Sequence, residues 1–241
     1  MTDKPTIVLV HGAFADASGF GPIITTLDRA GYPVVAPPNP LRSLLGDAES
    51  FVTRVAAIDG PVVLVGHSYG GAVIGQAAAG LDNVIGLVYL AAFGLDVGES
   101  LLTSQNGFPP SLLATENAPS SYDAPGAPGG PDLYIKEDTF HEVFCADLPE
   151  ETSRVMWATQ RPLSAFAFTE AATAAGWMTT PSWFLVSSRD NAIPPTAEQH
   201  FAERMGATTE TIDASHCAFI AHPDVVGDFI LRATADFVSA P

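Results

Sequence analysis

A pentapeptide behind an apolar strand is the feature that most constrains the fold of this chain. Residues 66–70 read Gly-His-Ser-Tyr-Gly and directly follow the apolar run 61–65. Residues 70–79 are rich in glycine and alanine and are typical of a helix. A serine between such a strand and such a helix lies on a strained turn, and the flanking glycines let strand and helix pass without Cβ clashes. The sequence therefore predicts a strand–turn–helix unit that lifts the Ser68 hydroxyl above the edge of a sheet.

Much of the remaining chain alternates strands with helices. The predicted strands lie at 6–10, 32–36, 61–65, 84–92, 183–187 and 208–212. Those at 6–10 and 84–92 are continuous apolar runs, as buried parallel strands require. The predicted helices run from Asp16 or Ser18 toward Ala30, and over 43–58, 196–205 and 223–238. This alternation predicts βαβ units and an α/β fold with a parallel sheet.

Residues 95–180 interrupt the alternation. Residues 109–131 are rich in proline, glycine and serine and predict a long loop. Helices are predicted at 137–146, 149–159 and 163–175. We therefore predict a core made of residues 1–94 and 181–241, with residues 95–180 inserted as a mainly helical cap.

A nucleophilic Ser68 needs a general base, which must be a histidine later in the chain. In the G-x-S-x-G architecture the acid and the histidine follow the serine in that order, each in a loop after a strand. This order excludes His11 and His67 as the base. Three others lie in the predicted cap, inside a predicted helix and at a helix start: His141, His200 and His222. We expect His216, in the loop after the last predicted strand, to be the base.

The acid that orients this base is expected at the end of the preceding strand. Asp190 follows the predicted strand 183–187 and is our first choice. A turn aspartate ahead of prolines is also an ordinary structural feature. Asp96, which follows the strand 84–92, is the alternative acid, whereas Asp213 is too close in sequence to His216 to be an easy partner.

An oxyanion hole and a substrate pocket complete the predicted site. The oxyanion hole needs the backbone N–H after the nucleophile and one from the first core loop, which here are those of Tyr69 and Ala13. Gly12 lets that loop approach closely, and His11 is expected to be a structural hydrogen-bonding group. The residues predicted to line the pocket are Phe14, Phe140, Phe144, Trp157 and Cys217.

Composition excludes several other functions. The 27 acidic and 10 basic residues give a formal net charge of −17, which argues against a nucleic-acid partner and predicts a solvated surface. The chain lacks a metalloprotease His-Glu-x-x-His motif, a clustered cysteine/histidine ligand set and a G-x-G-x-x-G motif. No metal and no organic cofactor are therefore expected.

Cysteine usage and hydropathy predict a cytoplasmic protein. Cys145 and Cys217 cannot form a disulfide framework and are expected to be free thiols. The first residues run directly into a strand and leave no room for a signal peptide. The longest apolar stretch, 86–95, is too short to span a bilayer, so no membrane partner is expected. A homodimer remains open.

Five segments together resemble a known family. They are residues 8–14 (Val-Leu-Val-His-Gly-Ala-Phe), 63–71 (Val-Leu-Val-Gly-His-Ser-Tyr-Gly-Gly), 88–93 (Val-Tyr-Leu-Ala-Ala-Phe), 190–194 (Asp-Asn-Ala-Ile-Pro) and 214–216 (Ala-Ser-His). In this order they resemble the bacterial α/β-hydrolases near the plant methyl-ester esterases and hydroxynitrile lyases. The resemblance implies the α/β-hydrolase fold with a six-stranded parallel sheet and a small cap. It also implies a Ser68–His216–Asp190 triad and ester hydrolysis without a cofactor.

Two positions separate the activities within that group. The hydroxynitrile lyases that the chain resembles carry a threonine after the first-loop histidine and a lysine after the catalytic one, where this chain has Gly12 and Cys217. We therefore expect a serine carboxylesterase that acts on small or hydrophobic esters. Lactonase and thioesterase activity use the same residues and stay open, as does a non-catalytic ligand-binding protein of the same fold.

Overall fold

A computed structural model describes residues 4–123 and 130–239. The strands are β1 (Thr6–Val10), β2 (Val34–Val35), β3 (Val62–His67), β4 (Val84–Leu90), β5 (Asn117–Ser120), β6 (Asp132–Ile135), β7 (Leu163–Ser164), β8 (Ser182–Ser187) and β9 (Thr208–Ile212). The helices are α1 (Gly21–Arg29), α2 (Leu44–Ala56), α3 (Tyr69–Ala78), α4 (Leu113–Glu116), α5 (Phe140–Phe144), α6 (Glu150–Ala158), α7 (Ala165–Thr169), α8 (Pro195–Arg204), α9 (Ala218–Ala221) and α10 (Pro223–Ser239). Short 3-10 helices occupy Ala17–Phe20, Thr103–Gln105 and Gly176–Met178.

Six strands form one parallel sheet in the order β2-β1-β3-β4-β8-β9. All six residues of β3 are buried, which explains why residues 62–65 are apolar without alternation. In the register of the sheet Val65 lies between Leu9 and Val88. Helix α1 packs on α10, and α2 packs on α3. The predicted α/β-hydrolase fold, with a six-stranded parallel sheet flanked by helices, is confirmed.

Helix α2 shows why the flanking helices form where they do. Its buried apolar residues Leu44, Ala48, Phe51 and Val55 recur at helical spacing and make one face that packs on the core. Ser43 precedes the helix in an extended conformation, and its Oγ accepts a hydrogen bond from the Gly46 N–H at 3.1 Å. This N-cap satisfies a backbone donor that the first helical turn leaves unpaired.

Residues 95–180 contain a second sheet that the sequence does not predict. Strands β5, β6 and β7 are antiparallel, with Ala118 opposite Tyr134 and Leu133 opposite Leu163. The long loop predicted over 109–131 is therefore wrong for 113–120, which form α4 and β5. Part of that prediction, residues 124–129, lies outside the described residues. The prediction of a mainly helical cap omitted this sheet, because strands of two to four residues are too short to show a clear alternation.

The helices predicted in this region are found with different lengths. The one predicted over 149–159 corresponds to α6, and the one over 137–146 is reduced to α5. The helix predicted over 163–175 is reduced to α7, because Leu163 and Ser164 pair with β6 and the helix ends before Glu170, which is extended. Within the described ranges, each helix is too short or too polar to cross a membrane.

Arg42 joins the small sheet to the loop before α2. Its Nη1 donates to Asp132 Oδ1 at 2.6 Å, and its Nη2 donates to the carbonyl oxygen of Pro162 at 3.1 Å. The Ser164 N–H donates to the carbonyl oxygen of Leu41 at 3.0 Å. These bonds hold β6 and β7 against the core loop that precedes α2.

Candidate active site

Ser68 lies on a strained turn between β3 and α3. Its backbone has φ +56° and ψ −123°, a combination that non-glycine residues rarely adopt. The surrounding backbone holds this conformation, since the Ser68 N–H donates to the Leu90 carbonyl at 3.2 Å. The Ser68 carbonyl in turn accepts from the N–H groups of Gly71 and Phe93, at 3.0 and 3.2 Å. The side chain is 7% exposed and faces a cavity.

Two glycines allow three backbone segments to meet at this serine. A Cβ on Gly70 would lie 2.2 Å from the carbonyl oxygen of Val10, and a Cβ on Gly12 would lie 2.6 Å from the Cβ of Ser68. Both separations are shorter than van der Waals contact allows. The close approach of the β1 loop to the start of α3 therefore requires glycine at both positions.

His216 and Asp190 come together from two neighbouring loops. His216 follows β9, Asp190 follows β8, and the His216 Nδ1 lies 2.5 Å from Asp190 Oδ2. Asp190 Oδ1 accepts from the N–H groups of Ala192 and Ile193 at 2.6 and 2.9 Å. Because the carboxylate is the acceptor, Nδ1 carries the proton, and Nε2 of a neutral imidazole keeps the lone pair that a general base needs.

His67 ties the His216 loop to the serine turn. Its Nε2–H donates to the His216 carbonyl oxygen at 2.9 Å, and the two ring centroids are 4.6 Å apart. Burial lowers the pKa of His67 well below its usual range, so the imidazole is neutral with its one proton on Nε2. The sequence excluded His67 as a base but did not reveal this bond. Its position directly before Ser68 at the end of a buried strand was the available signal.

The loop after β1 presents a backbone donor beside Ser68. Among the described residues, the N–H groups of Ala13 and Tyr69 have no protein acceptor. The neighbouring Phe14 N–H, by contrast, donates to the Arg161 carbonyl at 2.8 Å. Ala13, Tyr69 and Ser68 all line one cavity, so both unpaired donors lie beside the serine.

His11 holds this loop in place. Its Nε2 accepts from the Asn39 N–H at 2.9 Å, so the proton is on Nδ1, which donates to the Gly12 carbonyl at 2.9 Å. The Asn39 side chain returns a bond to the His11 carbonyl at 3.0 Å. Burial lowers the pKa of His11, and the ring is neutral. Its role is structural.

The cavity in front of Ser68 has a volume of about 560 Å³, and none of the described residues that line it is charged. Residues from the core contribute its floor: Ala13, Phe14, Ser68, Tyr69, Phe93 and Ala192. Residues between 101 and 117 and around 133 and 163–169 contribute the rest, including Leu101, Phe108, Leu113, Leu133, Leu163 and Phe168. The sequence missed this second group because the region offers no regular pattern from which side-chain directions could be inferred.

Most of the predicted pocket residues do not reach this cavity. Phe14 lines it, but Phe140 and Phe144 are core residues, and the Phe144 ring packs 5.1 Å from the His216 ring. Trp157 lies at a separate surface depression beside Tyr134 and Lys136. Cys217 is fully buried, and burial raises the pKa of its thiol well above the usual range. These four assignments need correction, because apolar residues next to a site are more often packed beneath it than exposed in it.

The alternative acids lie elsewhere. Asp96 makes local bonds only, accepting from the Val97 N–H at 2.6 Å. Asp213 pairs with Arg189 at 2.8 Å, and its side chain is 81% exposed. Neither carboxylate reaches the His216 ring, whose Nδ1 is already bonded to Asp190.

Comparison with known proteins gives consistent matches along the chain. A family model described as the alpha/beta hydrolase family matches residues 7–229. The probable hydrolase R7 of Phoma sp. is 29% identical over 94% of this chain and 97% of that protein. A pyrethroid hydrolase of Sphingobium wenxiniae is 25% identical over 98% of this chain and 88% of that protein. The crystal structure of polyneuridine aldehyde esterase, at 22% identity, has the same fold with a TM-score of 0.83 over 95% of this chain and 99% of that one.

Proposed function

The chain belongs to the alpha/beta hydrolase family, and on that premise we propose that it is a serine carboxylesterase that cleaves uncharged esters through an acyl-enzyme. The observation that carries the proposal is the placement of Ser68 on a strained turn that faces an uncharged cavity. The loop after β9, which His67 ties to the serine turn, holds a histidine bonded through Nδ1 to a buried carboxylate. Esterases and a pyrethroid hydrolase among the similar proteins add support.

The proposed reaction has two halves. Ser68 Oγ attacks the ester carbonyl carbon while His216 Nε2 takes the hydroxyl proton. The oxyanion that forms accepts hydrogen bonds from the N–H groups of Ala13 and Tyr69. His216 then gives the proton to the leaving alkoxide, which departs as the alcohol. Water attacks the acyl-enzyme with His216 as the base, and the carboxylic acid leaves as Ser68 recovers its proton. Asp190 stabilises the imidazolium in both halves.

A lyase activity on cyanohydrins has no support in this site. A Cβ on residue 12 would lie 2.6 Å from Ser68 Cβ, so a threonine side chain does not fit the present backbone there. Cys217, at the position of the lyases' lysine, is neutral and fully buried. Lactones and thioesters need the same attacking hydroxyl and oxyanion donors, so a substrate panel separates them from esters.

Covalent labelling tests the proposed nucleophile directly. We expect a fluorophosphonate to add to Ser68 with loss of fluoride, which intact mass and peptide mapping detect as one adduct. Ser68→Ala should remove the adduct, and Ser153→Ala, which changes a buried serine in α6, should retain it. A folded protein that stays unlabelled would instead indicate a ligand-binding role.

The uncharged lining predicts discrimination against anionic esters. We expect kcat/KM for para-nitrophenyl hexanoate to exceed that for the para-nitrophenyl half-ester of adipic acid by about 100-fold or more, because an unpaired buried carboxylate is costly. The net charge of −17 adds repulsion at long range. The two esters share a leaving group and a chain length, so spontaneous hydrolysis is the control. Equal kcat/KM values would contradict an uncharged acyl site.

A further inference from the structure

Glu198 is a second buried carboxyl group beneath the triad. It lies on α8, the helix that follows the Asp190 loop, and is 0% exposed. Its Oε2 accepts from the Ser187 N–H, at the end of β8, at 3.0 Å. Its other oxygen, Oε1, is buried and accepts no hydrogen bond from any described residue, and the Asp190 carboxyl is the acidic group that acts on it at hydrogen-bonding range. Two acceptor-only carboxylates cannot hydrogen-bond, so one of this pair holds a proton.

The count of donors decides which carboxyl group is protonated. Asp190 accepts three hydrogen bonds, from the N–H groups of Ala192 and Ile193 and from His216 Nδ1. From the described part of the chain, Glu198 accepts one hydrogen bond, from the Ser187 N–H. Among the described residues, neither carboxyl group pairs with a lysine or an arginine. Donors stabilise a buried negative charge, so the charge belongs on Asp190 and the proton on Glu198.

We propose that Glu198 is a positioning residue of the triad, whose protonated carboxyl group donates a hydrogen bond to Asp190 while its other oxygen accepts the Ser187 N–H. This role rests on the proposed function. A carboxylate has about four acceptor positions, and Asp190 uses three of them for the bonds above. The Glu198 O–H occupies the fourth. It holds the plane of the Asp190 carboxylate toward His216 and disperses the charge of a carboxylate that is shielded from water.

The charges around Glu198 support this arrangement. Burial raises the pKa of Glu198 well above its usual range, and the negative charge of Asp190 raises it further. Asp190 in turn faces His216 from the loop after β9, and its charge also acts on the Cys217 thiol. Glu198 is therefore the neutral member of the pair. When Glu198 ionises at high pH, two adjacent negative charges oppose each other in the core.

Glutamine and alanine at residue 198 separate positioning from packing. In Glu198→Gln the amide oxygen accepts the Ser187 N–H and the amide N–H donates to Asp190, so we expect kcat within about threefold of the wild type. Glu198→Ala removes both bonds. We expect kcat/KM to fall about tenfold or more, and the acid limb of its pH profile to move up by half to one pH unit, because a less stabilised Asp190 holds the imidazolium proton more tightly. Ala202→Gly, at a buried position on the same helix, should lower Tm without moving the profile.

The pH dependence of unfolding tests the proton on Glu198 without any substrate. The raised pKa means that folded Glu198 keeps a proton that the unfolded chain has lost above about pH 4.3. Stability from this group is complete below that pH and declines as the pH rises toward the folded-state pKa. The ratio of unfolding constants, wild type over Glu198→Gln, should therefore rise about tenfold per pH unit. Chemical denaturation at several pH values measures it.

The two measurements distinguish failure of the inference from failure of the proposed function. A flat ratio of unfolding constants, or equal activity losses in Glu198→Gln and Glu198→Ala, would overturn the role of Glu198 even in an active esterase. A ratio of unfolding constants that rises with pH, in a protein without esterase activity, would support the protonated Glu198 and reject the proposed esterase function.

Discussion

Replacing Ser68 with alanine is expected to lower kcat for ester hydrolysis by a factor of about 10⁶, as for nucleophiles that act within a triad. The variant keeps the cavity and the oxyanion donors but has no oxygen that can form the acyl-enzyme. The hydrogen bonds of the residue 68 N–H and carbonyl should hold the backbone conformation in the alanine variant, which loses only the Oγ of a residue that is 7% exposed. KM and Tm should therefore change little. Initial rates on para-nitrophenyl hexanoate, beside thermal unfolding, measure both effects.

Ser153→Ala provides the matched comparison, because it also removes a hydroxyl from a serine that is 4% exposed but lies in α6. It should retain wild-type kcat. Measuring a loss as large as 10⁶ also requires a Ser68→Ala sample that contains no wild-type enzyme. Titration with a fluorophosphonate measures any wild-type enzyme that is present. Retention of more than about 1% of wild-type kcat in the folded Ser68→Ala variant would reject Ser68 as the nucleophile, since triad nucleophiles contribute far more.

The central sheet could be predicted because strands that are buried on both faces have continuous apolar sequences. Every residue of β3 is buried, so residues 62–65 are all apolar, and glycine is required at residue 70 because a Cβ there would lie 2.2 Å from the Val10 carbonyl oxygen. The order of Ser68, Asp190 and His216 along the chain follows from the parallel topology, which brings the loops after β3, β8 and β9 to one edge. The catalytic roles of these residues remain predictions.

The substrate cavity and the small sheet could not be predicted, for a different reason. Strand β7 has two residues, and β5 contains Pro119, so pairing there depends on contacts distant in sequence rather than on propensity. Phe108 and Phe168 line the cavity, whereas Phe140 and Phe144 do not, although all four are phenylalanines between residues 95 and 180. The residue type is the same in all four cases, and the path of the backbone decides which of these side chains reach the cavity.

The sequence does not predict a buried position for Glu198, because α8 has the pattern of an ordinary amphipathic helix. A glutamate in the first turn of α8 is typical of a helix N-terminus, where it would lie in solvent. Its burial follows from the short Asp190 loop, which packs the first turn of α8 against the end of β8. The burial of such a residue therefore depends on tertiary packing that its local sequence does not show.

Asp190→Asn is expected to lower kcat about 10⁴-fold, the scale seen when the acid of a triad becomes an amide. The asparagine Oδ1 can still accept the N–H groups of Ala192 and Ile193, so the loop should keep its conformation. Its Nδ2, however, then faces His216 Nδ1 as a second donor. The imidazole avoids this conflict by placing its proton on Nε2, which leaves no lone pair for the Ser68 hydroxyl. Single-turnover acylation rates with para-nitrophenyl hexanoate measure the loss.

Asp96→Asn is the matched control, because it makes the same chemical change in the carboxylate that the sequence left as the alternative acid. Asp96 bonds to the adjacent Val97 N–H and not to His216, so kcat should stay within about threefold of the wild type, as for a surface substitution. If Asp96→Asn instead abolished acylation while Asp190→Asn did not, the acid would belong to the loop after β4. The 2.5 Å contact between His216 Nδ1 and Asp190 Oδ2 would then be structural only. Glu198 could then no longer be a positioning residue of the triad, because Asp190 would not be its acid.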